Sequence, residues 1–355
     1  MPAPSKFTLN TGATIPAGPG RRRPARSARP VVHALKAGYR HLDCALIYQN
    51  EEEVGDAIKQ SGVPREEIFI TSKAWNVFHH NVQESLEKTL KDLQVDYLDL
   101  FLVHWPVRLV ANGSQPLLPV NPNGTRSVDY SWNQEDTWRQ MEEIYKSGKV
   151  KAIGVSNWSI PYLERLEKSW KVVPAINQVE LHPYLPQHKL KEWCESRGIL
   201  LEAYCPLGST GPCCLHMQHH VPRSDLFTLT YLTYPGAPLL EDTEIQAIAA
   251  KYAVPPATIL ISYQVNRGVI VLPKSVTASR IEQNLKVIDI KEEDMKTLEA
   301  IAENGKQKRV NMPKWGSDLG FDDWPLPSCR NETGGGTPQR SVTLRILGIY
   351  ASSNK

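Results

Sequence analysis

Four side chains in the first third of the chain have the types needed to protonate a carbonyl oxygen: Asp43, Tyr48, Lys73 and His104. A phenol is a poor acid near neutral pH, but an adjacent ammonium stabilises its phenolate and makes it a better one. We predict that Asp43 positions Lys73 and that Lys73 makes Tyr48 a usable acid. We assign to His104 the hydrogen bond that orients the carbonyl. Taken singly, each residue has an ordinary alternative as a cap, a solvated charge or a core histidine.

These residues could act together only if the fold brings them to one face, and the sequence predicts such a fold. From residue 38 onward, near-continuous apolar runs alternate with amphipathic helical patterns, which is typical of βαβ units around a parallel sheet. The helices include VQESLEKTLKDL, QEDTWRQMEEIYKSG and LPQHKLKEWCESRG. The seven predicted strands are YRHLDC, EIFITSK, YLDLFLVHW, VKAIGVSNW, AINQVEL, ILLEAYCPL and GVIVLPKS.

Polar side chains lie at the C-terminal end of every one of these strands, not at a single point of the sheet. A doubly wound sheet would gather its ligands at one switch point after a Gly-rich turn, and no G-x-G-x-x-G occurs in the chain. Polar ends on all strands favour an α/β fold of the (β/α)8 barrel type, whose site forms at the C-terminal face. In chain order they are Asp43, Lys73, His104, Ser156 with Asn157, Gln178, Tyr204, and Lys274 with Ser275.

The first strand and helix of that barrel are expected to be replaced or disrupted. FTLN and ATIP predict a short hairpin, and where the first unit should follow, the chain reads GPGRRRPARSARP. Three prolines, five arginines and no apolar periodicity do not predict a buried strand. The sequence therefore predicts a barrel whose first strand is missing or disrupted, which would open its sheet between the second and eighth strands.

Composition and charge argue against several classes of protein. The net charge of +3 is too small to indicate a nucleic-acid or membrane partner, and no apolar run is long enough to span a bilayer. The start of the chain lacks the order of a signal peptide, and the six cysteines follow no disulfide or zinc spacing. We therefore expect a cytoplasmic protein without a metal ion.

The ordered motifs resemble the aldo-keto reductases. GYRHLDCALIYQNEEEVGDAI resembles the family segment with the aspartate and tyrosine, IFITSKAW the lysine strand, and DYLDLFLVHWP the histidine strand. GVSNW, INQVELHPY, AYCPLGS and LPKSVTASRIEQN follow in the family's order. The resemblance covers about residues 31–211 and 237–324. Within the family the chain is similar to fungal NADP-dependent glycerol dehydrogenases and aldehyde reductases. The resemblance implies NADPH-dependent, reversible reduction of small aldehydes or ketones, with glyceraldehyde or polyol-type substrates, by a monomer.

The resemblance also implies site residues. Tyr48 would be the proton donor, with Lys73, Asp43 and His104 in the roles given above. The residues expected to bind the cofactor are Ser156, Asn157 and Gln178 at the carboxamide, Tyr204 on the nicotinamide ring, Leu207 and Ser209 near the pyrophosphate, Lys274, Ser275, Thr277 and Arg280 at the 2′-phosphate, and Asn284 near the adenine. The two cations of PKSVTASR and the hydroxyls of Ser275 and Thr277 are chemically suited to a phosphate, so they favour NADP over NAD. Trp75 and Trp105 are expected to line the substrate pocket or to serve as packing residues.

Three segments depart from the family pattern, two inside a barrel expected to span residues 1–324 and one after it. They are the Arg-rich segment 18–30, an insertion over 212–236, and a tail over 325–355 with a composition typical of disorder. The insertion contains Cys213, Cys214, His216, His219 and His220, but in no recognised zinc spacing. We hypothesise that the segments result from gene-model or splicing errors. The alternatives to a working reductase are then a catalytically defective chain or a non-enzymatic binding subunit of the same fold.

Overall fold

A computed structural model describes residues 4–17, 28–208 and 239–324 and the backbone of 21–22. The predicted hairpin is confirmed, with β1 (Lys6–Thr8) antiparallel to β2 (Thr14–Pro16). All other strands form one parallel sheet, in which spatial order follows chain order. These strands are β3 (Arg21–Arg22), β4 (His41–Asp43), β5 (Phe69–Ala74), β6 (Leu100–Val103), β7 (Ile153–Ser156), β8 (Ile176–Glu180), β9 (Leu200–Tyr204) and β10 (Ile270–Leu272).

The seven strands predicted from apolar runs are β4 to β10, and all seven are confirmed in order. The first unit, expected to be replaced or disrupted, is shortened. Its strand β3 has two residues and pairs in parallel with β4 through Arg21↔Leu42 and Arg22↔Asp43. Its helix is present over eight residues, because Pro30 suits a helix start and Val31, Ala34 and Leu35 bury one face. No ladder joins β3 to β10 within the described ranges.

Helices follow the strands and cover the outside of the sheet. Side-chain caps begin three of them: Asn81 accepts from the backbone of Glu84, Asn133 from Glu135, and Asp242 from Glu244. The helices are α1 (Arg29–Lys36), α2 (Glu51–Ser61), α3 (Val82–Leu93), α4 (Gln134–Lys146), α5 (Ile160–Glu167), α6 (His188–Glu195), α7 (Thr243–Lys251), α8 (Pro256–Asn266), α9 (Ala278–Gln283) and α10 (Glu292–Ala300).

The two ends of the barrel are covered differently. At the N-terminal end, Leu9 and Ile15 of the hairpin pack on the first residues of several strands, among them Phe69, Leu100 and Ile176. At the C-terminal end lies an aromatic cluster formed by the loops after β5 and β6 and by residues 308–324, which we call the C-terminal arm. The hairpin therefore closes one end, and the residues predicted for the site lie at the other.

Close packing between strands depends on one glycine. A Cβ added to Gly154 on β7 would lie 2.6 Å from the carbonyl oxygen of Ile176 and 2.8 Å from a methyl carbon of Leu102. Only a residue without a side chain fits between these neighbours, so Gly154 sets the spacing of β6, β7 and β8.

In the part of the chain that the structure describes, no single helix has the length and apolar composition to cross a membrane. The bent pair α7 and α8, which meet at 88°, passes that test together by length and composition alone.

Candidate active site

A buried ion pair forms the base of the site at the C-terminal face. Lys73 lies on β5 with no exposed surface, and its Nζ donates to Asp43 Oδ1 at 2.5 Å and to the carbonyl oxygen of Cys44 at 2.8 Å. Asp43 is the last residue of β4, the neighbour of β5 in the sheet. A buried ammonium is stable only with such partners, so the two strands fix the position of the charge.

Tyr48 and His104 lie directly above this pair. Tyr48 ends the short helical turn Leu46–Tyr48 that follows β4, and its ring centroid is 5.6 Å from Lys73 Nζ. The ring of His104, one residue past β6, is 6.1 Å from the Tyr48 ring and nearly perpendicular to it. The structure thus brings all four residues of the predicted catalytic group to one opening.

Tryptophan side chains surround that opening. Trp75 packs edge-on against His104 with ring centroids 5.1 Å apart, and its indole nitrogen donates to the carbonyl oxygen of Leu117. Trp315 of the C-terminal arm lies 6.0 Å from Trp75 and 5.5 Å from Trp105. The two residues predicted to line the pocket are therefore part of a larger aromatic wall. Sequence reasoning missed Trp315 because the arm has no periodicity to place it.

The strands β7, β8 and β9 hold a hydrogen-bonded polar group at their C-terminal ends. The Ser156 hydroxyl donates to the carbonyl oxygen of Gln178 at 2.8 Å, and Asn157 Nδ2 donates to the carbonyl oxygen of His104 at 3.0 Å. Tyr204 donates its hydroxyl to Asn157 Oδ1 at 2.6 Å. Asn157 has a left-handed backbone with φ of 65°, which these contacts hold in place. Residues predicted on separate strands therefore form one rigid group.

The amide of Gln178 connects this group to the ion pair. Its Nε2 donates to Asp43 Oδ1 at 2.9 Å and to Glu202 Oε2 at 2.6 Å. Its Oε1 is buried and has no hydrogen-bond partner among the described residues. An amide oxygen buried in this way is an acceptor that a ligand's N–H can satisfy.

The C-terminal arm is attached to the same face through Glu180. This carboxylate accepts from the backbone nitrogens of Val310 at 2.7 Å and Asn311 at 2.8 Å, and from the His182 ring. Burial alone would raise the pKa of Glu180, but the hydrogen bond from His182 and the positive charge of Arg309 outweigh it and lower that pKa. The charged form is therefore the one that holds the arm in place.

The residues predicted to bind the 2′-phosphate lie at the outer edge of the site. Leu272 pairs with Tyr204 in the sheet, so the loop that begins at Pro273 leaves the barrel at the level of that tyrosine. Lys274, Thr277 and Arg280 are exposed, whereas Ser275 is half-buried and Asn284 is buried on the inner side of the segment after α9. Leu207 is half-buried and packs on two apolar clusters beside β10. Ser209 lies outside the described residues.

Comparison with known proteins agrees with this geometry. The family model described as "Aldo/keto reductase family" matches residues 12–303. The chain belongs to the aldo/keto reductase family. A Glycerol 2-dehydrogenase (NADP(+)) of Saccharomyces cerevisiae is 44% identical over 87% of this chain and 94% of that protein. Aldehyde reductase YPR1 of the same yeast is 44% identical over 89% and 98%. The solved structure of an aldose reductase from Schistosoma japonicum, 34% identical, superposes with a TM-score of 0.73 over 92% of this chain and 99% of that one.

The aldo/keto reductase fold accounts for the barrel and for the order of its strand-end residues. The described residues also fit a nicotinamide dinucleotide phosphate. The unsatisfied Gln178 Oε1 matches the N–H of a carboxamide, and the cations Lys274 and Arg280 match a phosphate at the outer edge. In the described ranges no group of three or more potential metal ligands comes together. The five Cys and His residues of the insertion, like most of segment 18–30 and the tail, lie outside those ranges.

Two polar residues of the site were missed by sequence reasoning. Glu202 lies inside the apolar run ILLEAYCPL. A single acidic residue in a strand predicted to be buried is unusual, and that could have indicated a functional or positioning role. Asn311, whose Nδ2 donates to the Tyr204 hydroxyl at 3.0 Å, lies in the irregular arm and gave no signal. Both contact residues that were predicted.

Proposed function

We propose that this aldo/keto reductase uses NADPH to reduce small aldehydes or ketones to alcohols, and that the reaction is reversible. Tyr48 acts as the proton donor, Lys73 and Asp43 as its charged support, and His104 as the group that orients the carbonyl oxygen. The substrates proposed are glyceraldehyde-like and other polyol-related carbonyl compounds.

The observation that supports this function most is the buried ammonium under a half-buried phenol. Lys73 Nζ is held between Asp43 and the Cys44 carbonyl, and the same charge lies 5.6 Å from the Tyr48 ring centroid. An ordinary structural ion pair would not need a phenol and an imidazole at its open side. A cation fixed in a site that excludes water stabilises the negative charge that the phenol acquires when it gives up its proton.

The chemistry assigned to the chain's residues concerns one proton and one oxygen. The carbonyl oxygen of the substrate accepts hydrogen bonds from Tyr48 and His104, which polarises the carbonyl group. Bound NADPH supplies the hydride that the carbonyl carbon receives. The Tyr48 hydroxyl gives its proton to the oxygen, and Lys73 stabilises the phenolate that remains. The aromatic wall limits access of water to these groups.

Two observations support NADPH as the cofactor. The matched yeast glycerol dehydrogenase carries NADP(+) in its name. The segment from Lys274 to Arg280 offers two cations and three hydroxyls, which are chemically suited to a 2′-phosphate. Ser156, Asn157 and Gln178 are proposed to hold the carboxamide, Tyr204 to face the ring, Leu207 and Ser209 to lie near the pyrophosphate, and Asn284 near the adenine.

The substrate class rests on the relatives and on the lining of the opening. The similar proteins include yeast enzymes named for glycerol and for aldehydes, and a D-galacturonate reductase of Hypocrea jecorina that is 40% identical over 90% of this chain. Aromatic faces beside His104 suit small polyhydroxylated carbonyl compounds, which present C–H faces as well as hydroxyls.

We further propose that a single chain forms the working unit and that it acts in the cytoplasm. Every side chain assigned to the reaction comes from one chain, and the three described cysteines, Cys44, Cys194 and Cys205, are free thiols. Size-exclusion chromatography with light scattering would test the first point, since a stable dimer of the active protein would contradict it.

The test is oxidation of NADPH, followed by absorbance, with glyceraldehyde and the purified chain. We expect turnover that is faster with NADPH than with NADH. In Tyr48→Phe, kcat should fall by roughly 10²–10⁴-fold, while NADPH still quenches protein fluorescence. A folded, NADPH-binding chain without turnover would favour the catalytically defective alternative. A folded chain that does not bind NADPH would overturn the proposed function.

A further inference from the structure

Glu202 is a buried acid in the barrel to which the proposed reaction assigns no role. It lies on β9, two residues before Tyr204, so both side chains point to the same side of the strand. In the sheet it pairs directly with Gln178 of β8. The side chain has no exposed surface. Burying a carboxyl group is costly unless it is hydrogen-bonded. The contacts of Glu202 therefore show what its burial could serve.

These contacts connect Glu202 to the nicotinamide end of the site. Its Oε2 accepts from Gln178 Nε2 at 2.6 Å, and its Oε1 lies 3.6 Å from His41 Nε2. Burial lowers the pKa of His41 to about 4, so this imidazole is neutral near pH 7. The approach to His41 is therefore not an ion pair, and the short contact is the one to Gln178.

Two carboxylates determine which way the Gln178 amide points. The amide nitrogen has two hydrogens, and both are donated, one to Asp43 and one to Glu202. Rotating the amide by half a turn would place its oxygen against the Asp43 carboxylate, which is paired with Lys73 and has no hydrogen to donate. The nitrogen must therefore face inward, and the buried Oε1 is the atom left for a ligand.

We propose that Glu202 is a positioning residue for the carboxamide of the nicotinamide. By holding the nitrogen of Gln178, it presents Gln178 Oε1 as a fixed acceptor for the carboxamide NH2. The inference rests on the proposed function, because it requires a nicotinamide in the barrel mouth. Without Glu202, Asp43 alone holds the amide, and the same Asp43 oxygen already accepts from Lys73.

The test compares two cofactors that differ only in that NH2 group. NADP+ carries it, and the 3-acetylpyridine analogue of NADP+ has a methyl group in its place. Binding of each is measured by fluorescence quenching, without turnover. In the wild-type chain, NADP+ should bind about tenfold more tightly than the analogue, the value of one well-placed hydrogen bond. In Glu202→Met the preference should fall to about twofold or less, mainly through weaker binding of NADP+.

Three further variants separate positioning from a merely structural role. Gln178→Met should also lose the preference, and Gln178→Met/Glu202→Met should lose no more, because both changes remove the same hydrogen bond. Glu51→Gln changes another buried acid, which bonds to Ser72 and Thr89 and makes no hydrogen bond to Gln178, so it should keep the tenfold preference. Glu202→Gln keeps a weaker, neutral acceptor and should lower the preference by about threefold.

Equal weakening of both cofactors in Glu202→Met would overturn the inference, since a structural defect affects them alike. If Glu202→Met does not fold, Glu202→Gln decides the question, and an unchanged preference overturns the proposal. Wild-type chain that binds neither cofactor would refute the proposed function itself. Wild-type binding with an intact preference in every Glu202 variant would refute only the role of Glu202.

Discussion

The two ends of the proposed cofactor site are built in opposite ways. At the inner end, Asp43, Lys73 and Gln178 have no exposed surface, and each is held by hydrogen bonds to neighbouring strands. At the outer end, Lys274 and Arg280 are exposed on the loop and helix after β10. The inner groups therefore occupy fixed positions before a ligand arrives, whereas the outer groups contribute mainly charge.

The inner end therefore selects a ligand by its geometry, whereas the outer end attracts it by charge. Fixed groups in a site of low dielectric need no reorganisation during the reaction, which suits the end where bonds change. Exposed cations attract a phosphate but are screened by salt, which suits the end that only holds the ligand. Changes at the inner end should therefore alter folding, catalysis and pH dependence, and changes at the outer end should alter affinity and its salt dependence.

The largest effect on stability is expected from Asp43→Ala. This change leaves the Lys73 ammonium buried without its carboxylate, and we expect the free energy of unfolding to fall by about 3–5 kcal/mol. Urea denaturation followed by circular dichroism measures it. The matched control is Glu143→Ala, which breaks an exposed pair with Lys146 at 2.7 Å and should cost less than about 1 kcal/mol. Similar losses in the two variants would contradict the distinction between buried and exposed charges.

A second prediction concerns the pH dependence of stability at a buried acid next to the inner end but outside it. Glu51 begins α2 behind Lys73, and burial raises its pKa from 4.5 to about 7. Below about pH 4.5 the folded and unfolded chains are both protonated at this residue. Between pH 4.5 and about 7 the unfolded chain releases the proton while the folded chain keeps it, so stability falls as the pH rises. Above about pH 7 this loss is complete.

Glu51→Gln removes that titration and provides the measurement. Relative to Glu51→Gln, the wild-type chain should lose up to about 3 kcal/mol of unfolding free energy between about pH 4.5 and pH 8. Other titrating groups, such as His41 with its lowered pKa, are present in both chains and cancel in the difference. A difference that is constant over this range, or one that grows in favour of the wild type, would show that Glu51 is not protonated near neutral pH.

Apolar patterning was enough to predict the strands and their order in the sheet. Seven apolar runs, each ending in a polar residue, admit few arrangements other than a barrel, and β4 to β10 follow them. The helix α1 was underestimated, because the prolines and arginines before it obscured the apolar spacing of Val31, Ala34 and Leu35. The strand β3 is defined only by backbone pairing with β4, and its two residues show no apolar pattern from which a strand could be predicted.

Contacts between distant segments were beyond sequence reasoning. The hydrogen bond of Glu202 to Gln178 depends on the register of β8 and β9, and a slip of one residue would turn Glu202 away from the barrel interior. The arm residues Trp315 and Asn311 reach the site because Glu180 binds their segment's backbone. No local pattern specifies such docking, whereas the residue types at the strand ends predicted four side chains that the structure brings together.

The smallest of these effects is expected at the outer end, from Arg280→Met. Removing one exposed cation should raise KM for NADPH about tenfold at low salt, with kcat unchanged, because the contact is made equally before and during the reaction. KM for NADH should stay within about twofold, since NADH lacks the 2′-phosphate. Added salt should raise KM for NADPH more in the wild-type chain than in Arg280→Met, since one screened contact is already absent.

Lys286→Met, which removes another exposed cation just beyond α9, is the charge-matched control and should leave KM unchanged. If Lys286→Met were as damaging as Arg280→Met, the outer end would act through its general positive charge and not through a phosphate site.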